Sequence, residues 1–194
     1  MSRLIGISGF ARSGKDTFYQ RAKLALEKEG YQVCRFAFAD ALKEECNEIL
    51  SKYTDIDAFT EDEGAKEMIR PLLVTWGTDI RRKLDENCWI KKIQSQVEEK
   101  IRDGYYVFIT DVRYKNEAEW IKINGGTLVN LTRHDVGPAN HEEHRESHRM
   151  RPFISHKVYW ETFGKEDIEK CDEYVIPFMS EVVTKEASQV KALL

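Results

Sequence analysis

Residues 3–17, RLIGISGFARSGKDT, decide how the rest of the chain reads. Arg3 to Ser8 is a short apolar run that predicts a buried strand. It breaks into Gly9-x-x-x-x-Gly14-Lys15, and Thr17 to Glu29 then turns helical, with Gly30 placed to cap it. Strand, glycine loop and helix in that order are the setting a phosphate loop requires. Glycine admits positive φ, so successive backbone N–H groups can turn towards one anion, and the helix N-terminus adds a favourable dipole. Lys15 supplies a point charge for the β and γ phosphates. Gly9, Arg12, Ser13, Gly14, Lys15, Asp16 and Thr17 are therefore the candidate nucleotide-binding residues. The plainer alternative, a glycine turn that only caps a helix, leaves the coincidence of strand, spacing, lysine and helix without a cause. One departure bears on metal binding. The residue after the lysine, where a hydroxyl usually meets Mg2+, is Asp16, and the hydroxyl arrives one place later at Thr17.

Downstream, strand and helix alternate. Tyr31 to Ala39 reads as a second strand, and Asp40 as the cap of a helix over residues 41–50. Residues 51–64, acidic and rich in turn formers, read as a surface connection or flap, and helical pattern resumes near Ala65. Trp89, Ile93, Val97 and Ile101 recur every four residues and stripe one face of a helix that Gly104 ends. Tyr105 to Thr110 reads as a buried strand; a helix with Ala118 and Ile121, Gly125-Gly126 and the strand TLVNLT follow. After a polar stretch from Arg133 to Pro152, a helix, a strand over Tyr174 to Ile176 and a last helix complete the expected chain. The pattern predicts an α/β fold of the P-loop NTPase kind: three layers, a central parallel sheet, helices on both faces, and a lid.

The acceptor side is read from charge. Asp111 stands at the carboxyl end of a strand, where open parallel sheets bind ligands; it can hold Mg2+ or take a proton, or simply cap the next turn. Arg113 can clamp a phosphate through its planar fork. Arg70, Arg81 and Arg82 fall in one helical region with Trp76, Thr78 and Asp79, a set that suits a nucleotide monophosphate; Lys43 joins it, although charges on a helix face are as readily only solvated. Residues 133–152 suit a lid that excludes water, with Arg133, Arg145, Arg149 and Arg151 available to offset transition-state charge. The five histidines fall in or beside it, but without a neighbouring cysteine they read as an exposed helix face before they read as zinc ligands.

Composition sets limits. At 194 residues, with 41% apolar and 33% charged, the chain can close a core as one domain, with residues 40–105 as acceptor region and 133–152 as lid. Thirty basic side chains oppose thirty-four acidic ones, so no nucleic acid polymer is expected as partner. Four scattered cysteines fit free thiols in a reducing cytoplasm, and neither a signal segment nor a membrane span is apparent.

The segments ISGFARSGKDT, FAFADALK, RPLLVTWGTDIRR, CWIKKI and VFITDVRYKNEAEWIKINGGTLVNLTR, in this order, resemble the phage-type deoxynucleoside monophosphate kinases. The resemblance covers most of the chain and implies a nucleoside-monophosphate-kinase fold, ATP with Mg2+, a deoxynucleoside monophosphate as acceptor, and a role in DNA precursor supply within a host cytoplasm. It implies Lys15 on the ATP phosphates and Asp111 and Arg113 at the reacting phosphates; the residues themselves add Arg145 and Arg149 of the lid as catalytic candidates and Asp16, Thr17 and Asp111 as candidate metal ligands. It places Arg70, Trp76, Thr78, Asp79 and Arg81 against the acceptor, to which the residues' own charges add Lys43 and Arg113 as substrate-binding candidates, and leaves a homodimer open. It is looser in HEEHRESH and YVIPFMSEV. The rival readings are a kinase for another phosphorylated metabolite, of the phosphomevalonate or dephospho-coenzyme A type, and a non-catalytic nucleotide switch.

Overall fold

The computed structural model describes residues 3–161 and 165–191. Five strands, β1 (Leu4–Gly9), β2 (Val33–Phe36), β3 (Tyr106–Val112), β4 (Thr127–Arg133) and β5 (His156–Trp160), form one sheet in the order β2-β3-β1-β4-β5 with every pairing parallel. Helices α1 (Lys15–Lys28) and α7 (Asp172–Lys191) cover one face; α5 (Lys115–Ile123) and α6 (His141–Met150) belong to the other. This is an α/β P-loop fold. Because β1 lies between β3 and β4, the chain leaves it in both directions, and the crevice that binds ligands opens at its carboxyl end.

Alternation explains the layers. Ile5 and Ile7 of β1, Tyr106 and Phe108 of β3, Val129 and Leu131 of β4, and Val158 and Trp160 of β5 join Phe18, Tyr19, Ala22 and Leu26 of α1 and Val175, Phe178, Met179 and Val182 of α7 in one buried cluster. On the reverse face Gly6 lets α5 close in, since a Cβ there would lie 2.4 Å from the Ile121 side chain. Each fully buried Ile, Leu or Phe contributes about 1.5–3 kcal/mol, so the sheet is the stable centre of its unit.

The chain divides into two compact units. One comprises the residues up to Phe36 and from Gln96 onward; the other is the inserted segment Ala37–Ser95. The insert holds α2 (Phe38–Tyr53), α3 (Glu63–Val74) and a π-helical continuation, Thr75–Arg82, and it contains the start of α4 (Cys88–Arg102). Leu50, Ala58 and Ile69 form a cluster within it, with Ile56, Leu72 and Leu73 packed alongside.

Several expectations are corrected. The second strand stops at Phe36, because Phe38, 2% exposed, starts the buried side of α2; Asp40 therefore lies in the first helical turn, behind an Ala37 cap. The connection over 51–64 lies largely at the surface, as expected, and is anchored at one point, where Ala58 is buried and its N–H donates to Asn47 Oδ1 at 2.9 Å, while Asp62 caps α3 through Ala65 N–H. The polar stretch 133–152 contains an ordered helix, α6, capped by Asn140, with His141, His144 and His148 along it. No strand forms at Tyr174–Ile176; these residues lie inside α7, and Val175 and Phe178 pack three apart on its buried side as a helix requires. The fifth strand is His156–Trp160, whose buried Val158 and Trp160 alternate with exposed Lys157 and Tyr159.

Candidate active site

The loop between β1 and α1 has the backbone of an anion cradle. Gly9, Arg12 and Gly14 take φ of 145°, 63° and 89°, and Ser13 N–H closes a turn on Phe10 O at 3.1 Å. Gly9 is required by space as well as by φ, since a Cβ would stand 2.5 Å from Leu131 O and 2.6 Å from Ser13 Oγ. Trp160 braces the loop from β5: its Nε1 donates to Ser13 O at 2.8 Å, and its ring would meet a Cβ on Gly14 at 2.6 Å. Ser13 Oγ is buried with no hydrogen-bond partner among the described residues, an orphan that a phosphate oxygen would satisfy.

Lys15 Nζ folds back onto the loop and donates to Gly9 O at 2.9 Å and Phe10 O at 2.8 Å. Burial, followed by the nearby charge of Arg113, lowers its pKa to about 8, against the opposing pull of Asp16, Glu143 and Asp111. Lys15, Arg113, Asp16 and Asp111 thus share one field at the sheet's carboxyl edge. Asp16 lies exposed in the first turn of α1, with Thr17 beside it. Two carboxylates and a hydroxyl are hard oxygen donors of the kind magnesium takes, so the residues present fit that ion.

Two buried carboxylates that sequence reading did not single out tie down the turn after β3, and one of them bonds the Arg113 backbone. Glu117, 1% exposed, accepts from Arg113 N–H at 2.8 Å and Tyr114 N–H at 3.0 Å. Glu146 of α6 accepts from Lys115 N–H at 3.1 Å and from Arg149 Nη1 at 2.9 Å, with Arg145 Nε 3.9 Å away. The signal for Glu117, an acid three residues after a helix start, was present; that for Glu146 depends on a helix crossing no local pattern reveals. Arg145 and Arg149, expected at the phosphoryl group, are thus engaged with Glu146, and it is Arg151 that lines the cavity beside Gly9 and Phe10. Arg133 pairs with Asp135 and lines a small cleft with Gly14, Thr17 and Trp160.

Within the inserted unit, Glu45 of α2 collects part of the expected acceptor set. It accepts from Trp76 Nε1 at 3.0 Å and Arg81 Nη2 at 3.1 Å, and Lys92 Nζ lies 2.8 Å away. Burial opposes its charge, but the bonds from Lys92 and Trp76 and the charge of Arg81 prevail and hold its carboxyl below the usual range. Arg81 Nε is buried without a partner among the described residues. The π turn brings Gly77 so close to α2 that a Cβ there would be 2.7 Å from Leu42, and frees Gly77 O for Trp89 Nε1 at 3.3 Å. Thr78 is half-buried. Asp79 pairs outward with Lys83, Arg70 is exposed, and Lys43 sits over the Phe59 ring, so these four do not join the Glu45 cluster.

A family model described as phosphomevalonate kinase matches residues 7–126, which takes in the phosphate loop, the inserted unit, Asp111 and Arg113 and ends before α6. A phosphomevalonate kinase of Drosophila melanogaster is 25% identical over 122 residues, 63% of this chain; the chain thus spans about three fifths of that protein, 61% of its length. Among solved structures, a dephospho-CoA kinase from Campylobacter jejuni is 11% identical with a TM-score of 0.49, covering 93% of this chain and 99% of that one. A sugar kinase from a Janibacter species is 11% identical with a TM-score of 0.41, covering 90% and 95%. The matched family differs from the deoxynucleoside monophosphate kinases of the motif resemblance, and the P-loop kinase character common to both is what the match supports.

Proposed function

The chain belongs to the phosphomevalonate kinase family, and on that premise we propose that it transfers the γ-phosphoryl group of ATP to the phosphate of a small metabolite of the phosphomevalonate kind. The observation that carries the reading is Lys15, held in a loop of positive-φ residues, its pKa lowered first by burial and then by the nearby charge of Arg113. Two cations that repel one another when the site holds no anion are arranged for a ligand with several negative charges.

The chemistry follows from the charges. The acceptor phosphate is itself ionised at neutral pH, so the reaction asks less for a base than for cations that let two anions approach. Loop amides and Lys15 hold the donor phosphates, and Arg113, fixed by Glu117, offsets charge on the transferring group. Asp16, Thr17 and Asp111 would hold magnesium, which would offset the charge of the phosphates when bound. Trp76, oriented by Glu45, supports a second reading in which the acceptor is a deoxynucleoside monophosphate stacked on the indole.

A coupled assay for ADP with ATP, Mg2+ and, in turn, phosphomevalonate, dephospho-coenzyme A and each deoxynucleoside monophosphate tests both. Turnover is expected with phosphomevalonate, and Arg113→Ala should lower kcat/KM roughly 100- to 1000-fold while leaving ATP affinity within a few fold. Turnover confined to nucleotides would move the assignment to the second reading. ATP binding without turnover on any acceptor would overturn both.

A further inference from the structure

On the sheet face turned away from α1 and α7, a cavity of about 280 Å³ lies between α6 and the carboxyl ends of β4 and β5. Strand alternation builds its floor. Val129, Leu131, Val158 and Trp160 turn to the α1 and α7 core, so Asn130, Thr132, Lys157 and Tyr159 turn the other way. The parallel register sets Asn130 against Lys157 and Thr132 against Tyr159, so the four tile one polar patch. Hydrogen bonds fix part of it: Thr132 Oγ1 donates to Asn130 Oδ1 at 3.3 Å, Asn130 Nδ2 to Ser8 Oγ at 3.1 Å, and Ser8 Oγ to Val129 O at 3.2 Å. Buried Met150, with Ile154, gives an apolar wall.

Charge makes the cavity selective. Arg113, Arg151 and Lys157 all line it, and none forms an ion pair among the described residues. Glu143 lines it too, but both of its oxygens accept backbone amides, Ala11 N–H at 3.3 Å and Ala139 N–H at 2.6 Å. Three cations around a concave, partly apolar space, with the nearby carboxylate engaged elsewhere, are relieved by an anion that brings its own oxygen acceptors. The phosphoryl-transfer chemistry above uses Arg113 alone and leaves Arg151, Lys157 and Tyr159 without a role.

We propose that this cavity is a second oxyanion subsite, in which Arg151 and Lys157 hold a carboxylate or phosphate group apart from the phosphates of the nucleotide. It goes beyond the kinase reading and stands whichever acceptor is used. The oxyanion has two sources: the far end of an acceptor with two anionic groups, or a separate small anion.

Titration of the full chain with inorganic phosphate by calorimetry, with Mg2+ and a non-hydrolysable ATP analogue saturating the loop, tests it. Phosphate should bind the analogue-saturated protein. Lys157→Met, at an exposed position, should weaken it about tenfold or more, Lys157→Arg should restore most of it, and analogue affinity should not move. Steady-state kinetics separate the sources. For an acceptor's far end, Lys157→Met raises KM for phosphomevalonate and phosphate competes with it; for a separate anion, KM holds and phosphate inhibition or activation disappears. Phosphate that is wholly displaced by the analogue, or that binds Lys157→Met as tightly as wild type, overturns the subsite. A protein that binds phosphate here yet turns over no acceptor would sink the kinase reading instead.

Discussion

Lys15 is where burial and charge meet most directly, and its two titration consequences run in opposite directions. In the free protein its pKa is about 8 against an ordinary 10.5, so folding disfavours its proton. Below about pH 8 the ammonium is charged in both folded and unfolded states and the cost of burying it is present in full; above 10.5 both are neutral and the cost is gone. The stability of wild type relative to Lys15→Met should therefore rise between pH 8 and 10.5, which paired denaturant titrations measure; a flat difference would contradict the burial. Nucleotide phosphates favour the ammonium, so affinity should fall as pH climbs past 8, with a proton taken up on binding that calorimetry in two buffers detects. Ser13 gives a second expectation. A buried hydroxyl without a partner costs about 1–3 kcal/mol, so Ser13→Ala should leave the nucleotide-free protein as stable as wild type or more so, while weakening the nucleotide complex. Thermal melts with and without ATP analogue check it, and a destabilised free protein would show that the hydroxyl is bonded after all.

At the scale of elements, short side-chain ties aim the functional groups. The turn between β3 and α5 would otherwise leave two N–H groups unpaired, and Glu117 accepts both. Glu117→Gln keeps the shape but weakens the acceptor, so kcat should fall with little change in ATP affinity, at a stability cost of about 1–3 kcal/mol. Equal losses in both parameters would mean that Glu117 acts on the whole fold and not on Arg113. The π segment rests on a different device, the missing side chain of Gly77. Gly77→Ala forces a methyl into a 2.7 Å gap before Leu42 and should destabilise the inserted unit by about 1–3 kcal/mol; Leu42→Ala in the same chain should recover part of that. A π turn leaves no mark in periodicity, so residues 75–82 could be read as helical but their wider winding could not.

For the whole molecule, the sequence spoke wherever a local rule and a tertiary need coincide. The phosphate loop was legible because its glycines, lysine and flanking elements are consecutive, and β3 and α4 were legible because burial imposes long single-period runs. The carboxyl-terminal third was read less well. β5 is five residues with two buried positions, too short to stand above its polar surroundings, and the apolar run at Tyr174–Ile176 is as consistent with a helix as with a strand until the packing of α7 is known. Missing β5 hid Trp160, Lys157 and Tyr159 together, and with them the brace of the loop and the floor of the cavity. The division into two units carries the last expectation. The insert's cluster around Ile69 is small beside the continuous sheet core, so the insert belongs to the low-stability end of the molecule. Ile69→Ala removes about 2–5 kcal/mol from that cluster. Native-state hydrogen exchange should then speed across residues 37–95 while the amides of β1, β3 and β4 keep their protection, because no sheet residue belongs to the Ile69 cluster. Equal acceleration in both units would mean that the chain unfolds as one cooperative body.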